Sequence, residues 1–190
     1  MHHLDAIRPE LEVYSRLLEK WQKSINLVSR RELSNLFERH FHDSADLAAF
    51  GHLDAIWGDI GSGAGFPGMV VGILQKQCGG QTILIEPNKR KAAFLREVSR
   101  ETGACVHVLA CRAEDVMDNL DLDYVTSRAF TSLSALTNFA RRSLQSGSIG
   151  VFLKGQYVGL ELTDAPKSCN LKLTLHQRPC KGYVVVARRQ

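Results

Sequence analysis

The chain of 190 residues contains no long hydrophobic run. Apolar stretches such as Met69–Leu74 fall well short of the ~18 residues that a membrane-spanning helix needs, so no span is expected. The opening residues, MHHLDAIRPELE, lack the basic-then-apolar order of a secretory signal. Cysteine is sparse and unpaired: there are five, an odd number, and no CxxC. That excludes a disulfide framework and a structural zinc site, and predicts a reducing cytoplasm. No internal repeat, low-complexity tract or Gly/Ser-rich linker is present. Aromatic residues make up 7% of the chain, and no RNA-recognition motif with its stacking rings is found.

What is there is ordinary for a folded protein. Apolar residues account for 44% and charged residues for 23%, which excludes disorder and a coiled-coil rod. The formal net charge is +4 and the pI about 8.9. This permits a polyanionic partner without requiring one. The length fits one domain, with residues 1–52 a helical extension and 53–190 an α/β core.

Residues 4–21 carry Leu4, Ile7, Leu11, Tyr14, Leu18 and Trp21 at steps of three and four, one face of an amphipathic helix. Pro9 falls in its first turns, where a helix tolerates it best. Further helices are expected around Arg31–Arg39 and Phe41–Phe50. Then the pattern changes to alternating strands and helices. Strands are predicted at Ala55–Ile60, Thr82–Ile85, Val106–Ala110, Tyr124–Ser127 and Ile149–Leu153. Helices are predicted at Phe66–Gln77, at Asn88–Thr102 stopped by Gly103, and at Leu133–Leu144 closed by Gly147. Leu171–His176 and Tyr183–Ala187 follow without an intervening helix and read as an antiparallel pair. The whole predicts a Rossmann-like α/β fold: a mostly parallel seven-stranded sheet with an antiparallel C-terminal hairpin strand.

The most informative segment is Asp59-Ile-Gly-Ser-Gly-Ala-Gly-Phe-Pro-Gly68, which follows a strand and opens a helix. Its glycines permit sharp turns and let a ligand lie against bare backbone. Two ligands compete. Gly63, Gly65 and Gly68 satisfy the GxGxxG of a dinucleotide site, whose pyrophosphate would sit at the helix N-terminus. Asp59 with Gly61, Gly63 and Gly65 satisfies the acidic-x-Gly-x-Gly-x-Gly of S-adenosyl-L-methionine (SAM) methyltransferases. An acidic residue at a strand end suits the cationic ammonium and sulfonium of SAM and would repel a pyrophosphate. Glu86 ends the second strand, where a carboxylate can accept hydrogen bonds from ribose hydroxyls of either ligand.

The glycine segment resembles that of the bacterial 16S ribosomal RNA guanine-N7 methyltransferases, the RsmG (GidB) family. The resemblance continues through Lys91-Ala-Ala-Phe94-Leu95-Arg96-Glu97-Val98, Arg112-Ala113-Glu114, Thr126-Ser127-Arg128-Ala129-Phe130 and Leu153-Lys154-Gly155. Upstream it includes Trp21-Gln-Lys-Ser-Ile-Asn26-Leu27 and Glu38-Arg39-His40-Phe-His-Asp43-Ser44. The similar blocks run in order from about residue 14 to 156. Beyond them only the strand pattern matches. Pro87 and Asn88 depart from the family's usual residues and are expected to alter the start of the following helix while leaving Glu86 in place.

The resemblance implies a SAM-dependent methyltransferase that modifies N7 of a guanine in small-subunit ribosomal RNA, free or as ribonucleoprotein. It implies SAM contacts at Gly61 and Phe66, adenine flanked by Ala113 and Glu114, and Arg128 beside the reacting centre. Guanine N7 carries an exposed lone pair and needs no deprotonation, so no general base is expected. Alignment and a preorganised polar environment would carry the catalysis, with Arg128 positioning a guanine or phosphate. His40, His42 and Asp43 have metal-like spacing, but capping or helix-to-sheet bonding is their expected role, and methyl transfer needs no metal. Asn26 and His40 are expected to order the N-terminal helices beside the crevice. Arg30, Arg31, Arg39, Arg90, Arg141, Arg142 and Lys154 are the candidate phosphate contacts. A monomer is expected. Two alternatives stay open: an NAD-dependent oxidoreductase, and a non-catalytic SAM-fold protein that binds ribosomal RNA as an assembly factor.

Overall fold

The computed structural model describes residues 2–29, 33, 35–128, 132–159, 170–178 and 182–190. Seven strands form one sheet: β1 (Ile56–Ile60), β2 (Gln81–Ile85), β3 (Val106–Leu109), β4 (Tyr124–Arg128), β5 (Ile149–Lys154), β6 (Leu171–Gln177) and β7 (Tyr183–Arg189). Their order is β3-β2-β1-β4-β5-β7-β6. Every neighbouring pair from β3 to β5 is parallel, and β7 runs antiparallel to both β5 and β6. The predicted architecture is therefore observed. The central strands β1, β4 and β5 are buried on both faces, which is why they read as apolar runs. The edge strand β6 alternates half-buried with exposed residues.

Helices α1 (His2–Ala6), α2 (Arg8–Gln22), α4 (Gly68–Leu74) and α5 (Lys89–Thr102) contribute to one face of the sheet, where Leu11, Leu18, Val70, Phe94 and Leu95 share a core with Phe66. A π-helical turn, Phe37–Phe41, runs into α3 (His42–Ala48), whose Leu47 packs with Trp57, Val71 and Val184. The other face is covered by α6 (Leu133–Phe139) and α7 (Arg141–Ser146), packed with Ile60, Val125 and Phe152.

Local chemistry accounts for the boundaries. Asn88 caps α5 by accepting hydrogen bonds from the Arg90 and Lys91 amides, so its departure from the family pattern gives a good N-cap. Gly103 ends the same helix in the left-handed region. Two expectations need correction. The stretch predicted as one helix over 4–21 is interrupted at Ile7, because the Pro9 ring is incompatible with the carbonyl four residues back. The stretch Leu133–Leu144 is two helices parted at Ala140. The Thr137 hydroxyl donates to the Leu133 and Ser134 carbonyls, a back-bonding that bends helices. Leu133, Leu136, Ala140 and Leu144 nevertheless all stay buried in one cluster. The expected helix over Arg31–Arg39 lies partly outside the described residues, as does much of Gln156–Lys167.

Candidate functional site

The site forms where β1 and β4 part. Their pairing covers Trp57, Gly58 and Asp59 opposite Tyr124, Val125 and Thr126. One step further, the Ser127 hydroxyl donates to the Ile60 carbonyl at 2.8 Å. The side chain replaces the ladder as the strands diverge, and a crevice opens at their carboxyl ends, where open α/β sheets bind ligands.

The loop after β1 folds over the end of β2. The amides of Gly61 and Ser62 both donate to the Ile85 carbonyl, at 2.9 and 3.1 Å. Gly61, Gly63 and Gly65 have φ of 67°, 57° and 96°, conformations that favour glycine. A Cβ on Gly63 would have only the Gly61 carbonyl oxygen nearby, at 3.8 Å, so this backbone is bare on its open side. Gly68 does something different. A Cβ there would lie 2.6 Å from the Asp59 carboxylate and 2.5 Å from Leu84. This glycine makes room for Asp59.

Two carboxylates bracket the loop. Glu86, 6% exposed, accepts from the Gly63 amide on Oε2 and the Asn88 amide on Oε1, both at 2.8 Å. Each oxygen retains acceptor capacity for a hydroxyl. Asp59 is fully buried. Its Oδ2 accepts from the Gly68 amide at 3.2 Å, while Oδ1 accepts nothing among the described residues. Burial pushes its pKa up to about 7, against the pull of Ser62, the Gly68 amide and the Arg128 charge, with Glu86 adding to the rise. An acceptor left unsatisfied in a dry place is costly, and it suits a cationic donor.

Phe66 is 4% exposed and lies in an aromatic stack. Tyr14 stacks on it at 5.3 Å and His40 at 4.7 Å, both at 20° between planes, and Phe41 meets it edge-on. The Arg128 guanidinium lies 5.3 Å from its centroid, a cation–π distance. The Tyr14 hydroxyl donates to the Ala64 carbonyl, and burial holds its ionisation well above the usual range. Helix α2 thus reaches the glycine loop directly.

The crevice brings together Asp59, Gly61, Gly63, Gly65, Phe66, Glu86 and Arg128. Ala113 is buried at the start of a turn after β3, with Glu114 exposed beside it. Asp43 pairs with Arg178, just past β6, so helix-to-sheet pairing is its role. Asn26 is exposed beside a groove at the end of α2. Arg90, Arg141 and Arg142 are exposed and Lys154 is half-buried. Arg30, Arg31, Ala129, Phe130 and the side chain of Arg39 lie outside the described residues. Sequence reasoning missed Tyr14 as a loop anchor, because it sits in the apolar stripe of α2. Its hydroxyl, the one polar group in the Leu11–Tyr14–Leu18 row, is the signal that distinguishes it.

The residues present fit SAM: an unsatisfied buried carboxylate oxygen for a cation, a strand-end carboxylate for hydroxyls, and bare glycine backbone between them. A family model described as GidB, rRNA small subunit methyltransferase G, matches residues 7–182. The ribosomal RNA small subunit methyltransferase G of Ruegeria pomeroyi is 40% identical over 162 residues, 84% of this chain and 79% of that one. The protein of the same name in Rhodospirillum centenum is 46% identical over 164 residues, covering 86% and 74%. Among solved structures, a SAM dependent methyltransferase from Aquifex aeolicus has a TM-score of 0.60 at 17% identity, covering 76% of this chain and 88% of that one. A methyltransferase from Geobacter sulfurreducens has a TM-score of 0.66 at 11% identity, covering 96% and 89%. At these identities the structures speak for the fold.

Proposed function

The chain belongs to the rRNA small subunit methyltransferase G family, and on that footing we propose that it uses SAM to methylate N7 of a guanine in 16S ribosomal RNA. The observation that carries the cofactor reading is the buried pair Asp59 and Glu86 bracketing a glycine loop with left-handed backbone. When bound, SAM supplies an electrophilic methyl group on a sulfonium. Gly61, Gly63 and Gly65 offer it backbone without side chains, Asp59 a carboxylate for its ammonium, and Glu86 acceptors for its ribose. Phe66, Ala113 and Glu114 complete the cofactor contacts. The Glu86 carboxylate also holds the loop in shape through the Gly63 amide.

Arg128 is the substrate-positioning residue. A guanidinium stays protonated, so it orients a guanine or phosphate and passes no proton. Guanine N7 attacks with its own lone pair, and alignment is the protein's main contribution. In the same reading, residues 1–52 and 53–190 act as one monomeric unit in the cytoplasm. The partner is small-subunit ribosomal RNA or its ribonucleoprotein. The family description names a methyltransferase, so the nicotinamide alternative is set aside. Among the described residues, no helix is long and apolar enough to cross a membrane.

The test is methyl transfer from labelled SAM to small ribosomal subunits from cells lacking the endogenous activity, followed by nucleoside mass spectrometry. The expected product is 7-methylguanosine. SAM binding with no methylated nucleoside would overturn the reading in favour of a non-catalytic assembly factor.

A further inference from the structure

Helix α2 runs antiparallel to α5. Near its start, Glu10 pairs with Lys76, which also donates to the Thr102 carbonyl at the end of α5. Near its finish, Lys20 and Trp21 both bond Glu97, and the Arg90 guanidinium donates to the Ser24 carbonyl at 3.0 Å. The last turn of α2 therefore lies against the middle of α5, and the segment just after α2 meets the first turn of α5. That turn begins just past Glu86, on the rim where the glycine loop lies.

This rim is basic. Lys23, Lys89 and Arg90 are exposed and Lys91 is half-buried. Lys23, Lys89 and Lys91 form no ion pair among the described residues. The first turn of α5 contains no acidic residue, although the helix dipole favours acids there by about 0.3–1 kcal/mol each. Three consecutive cations at that end work against the helix that bears them. Beside them, a groove at the end of α2 has a mixed lining, with the polar Gln22, Lys23 and Asn26 next to the apolar Leu27 and Val28. The rim beyond β3 has the opposite character. Glu114, Asp115 and Asp118 are exposed there, and Arg112 is tied to Asp115 at 3.2 Å. A polyanion approaching the crevice is drawn to one side and repelled from the other.

We propose that Lys23, Lys89, Arg90 and Lys91 form the track on which the ribose-phosphate chain of the RNA lies while a base enters the crevice at Arg128. The inference rests on the RNA reading above and adds the surface used. Contacts of this kind set register and orientation and leave base selection to the crevice.

The test compares two charge-reversal pairs in the full chain. Lys23→Glu/Lys89→Glu alters the rim. Lys172→Glu/Arg188→Glu makes the same change of charge on exposed residues paired across β6 and β7, at the other end of the sheet. Binding of purified small ribosomal subunits is measured over a range of salt, with SAM titration alongside. The rim pair is expected to weaken subunit binding at least about tenfold and to lower the salt slope by roughly two. SAM affinity stays at the wild-type value, which also certifies the fold. The distal pair binds subunits like wild type. Lys23→Arg/Lys89→Arg, which keeps the charge, also retains binding. Equal binding by rim variant and wild type, or equal weakening by both pairs, overturns the track alone. No subunit binding by the wild-type protein overturns the RNA reading with it.

Discussion

The two ends of the glycine loop are held by different physics. At the carboxylate end, Glu86 grips the Gly63 amide and Asp59 the Gly68 amide. Asp59 lies on β1, which leads into the loop, and Glu86 just past the end of the neighbouring strand β2. At the aromatic end, Phe66 is stacked against Tyr14 and His40, with the Tyr14 hydroxyl on Ala64. These anchors come from the N-terminal helices. Polar anchors leave acceptors facing a ligand, whereas stacked rings exclude water and fix position through packing. The carboxylates offer acceptors, and the stacked rings fix the position of Phe66.

The largest effect should come from an alanine scan of the loop's own glycines. At Gly65, φ is 96° and a Cβ would run into the Tyr14 hydroxyl and lie 2.9 Å from Leu95. Gly65→Ala should cost at least about 3 kcal/mol in urea denaturation, through backbone strain and overpacking together. Gly63→Ala has open space and should cost only about 1–2 kcal/mol for its left-handed backbone. Similar losses at both positions would break the distinction between the two ends.

An effect of similar size, spread over several pH units, should separate Asp59 from every other anchor. Its carboxyl is raised from the ordinary 3.8 to about 7 in the fold. Below about pH 4 both folded and unfolded chains hold the proton, and no penalty applies. As pH rises to 7 the unfolded chain gives up the proton first, so the folded state loses stability, by up to roughly 1.4 kcal/mol per pH unit. Unfolding of the wild type relative to Asp59→Asn, measured at pH 4.5 and 7.5 without ligand, should show the substituted protein gaining as pH rises. A constant difference would mean that Asp59 ionises normally.

Tyr14→Phe should have the least effect. The rings keep their contacts, and the Ala64 carbonyl loses its donor at about 1 kcal/mol. The loss should appear in thermal unfolding with SAM affinity within about twofold of wild type. A larger loss of affinity than of stability would show that the Tyr14 hydroxyl also shapes the cofactor site.

The same contrast explains what was legible in the sequence. The strand–loop–helix around Asp59–Gly68 and the Gly103 stop depend on chemistry within a few residues and are legible; the Asn88 cap is just as local, yet in the sequence Asn88 reads as the first residue of the helix it caps. The alternation of elements gives the parallel sheet, but not the order that sets β1 beside β4, where the crevice opens. Tyr14 and Ala64 are 50 residues apart, and Asp43 and Arg178 are 135 apart. No local pattern distinguishes such partners from ordinary core or surface residues. Thr137 split a helix whose apolar spacing was continuous, because periodicity registers faces and is blind to a hydroxyl turned back on the backbone.

Strand β7 follows β6 in the chain yet lies between β5 and β6. As a ribosome makes this protein, the sheet from β3 to β5 can assemble in order, but β5 then waits with an open edge. The growing chain carries Leu171, Leu173 and Leu175 past that edge before Val184–Ala187 arrive to fill it. An unpaired apolar edge is a template for other chains, so the interval before β7 emerges is when a nascent copy is most exposed to misassembly with its neighbours.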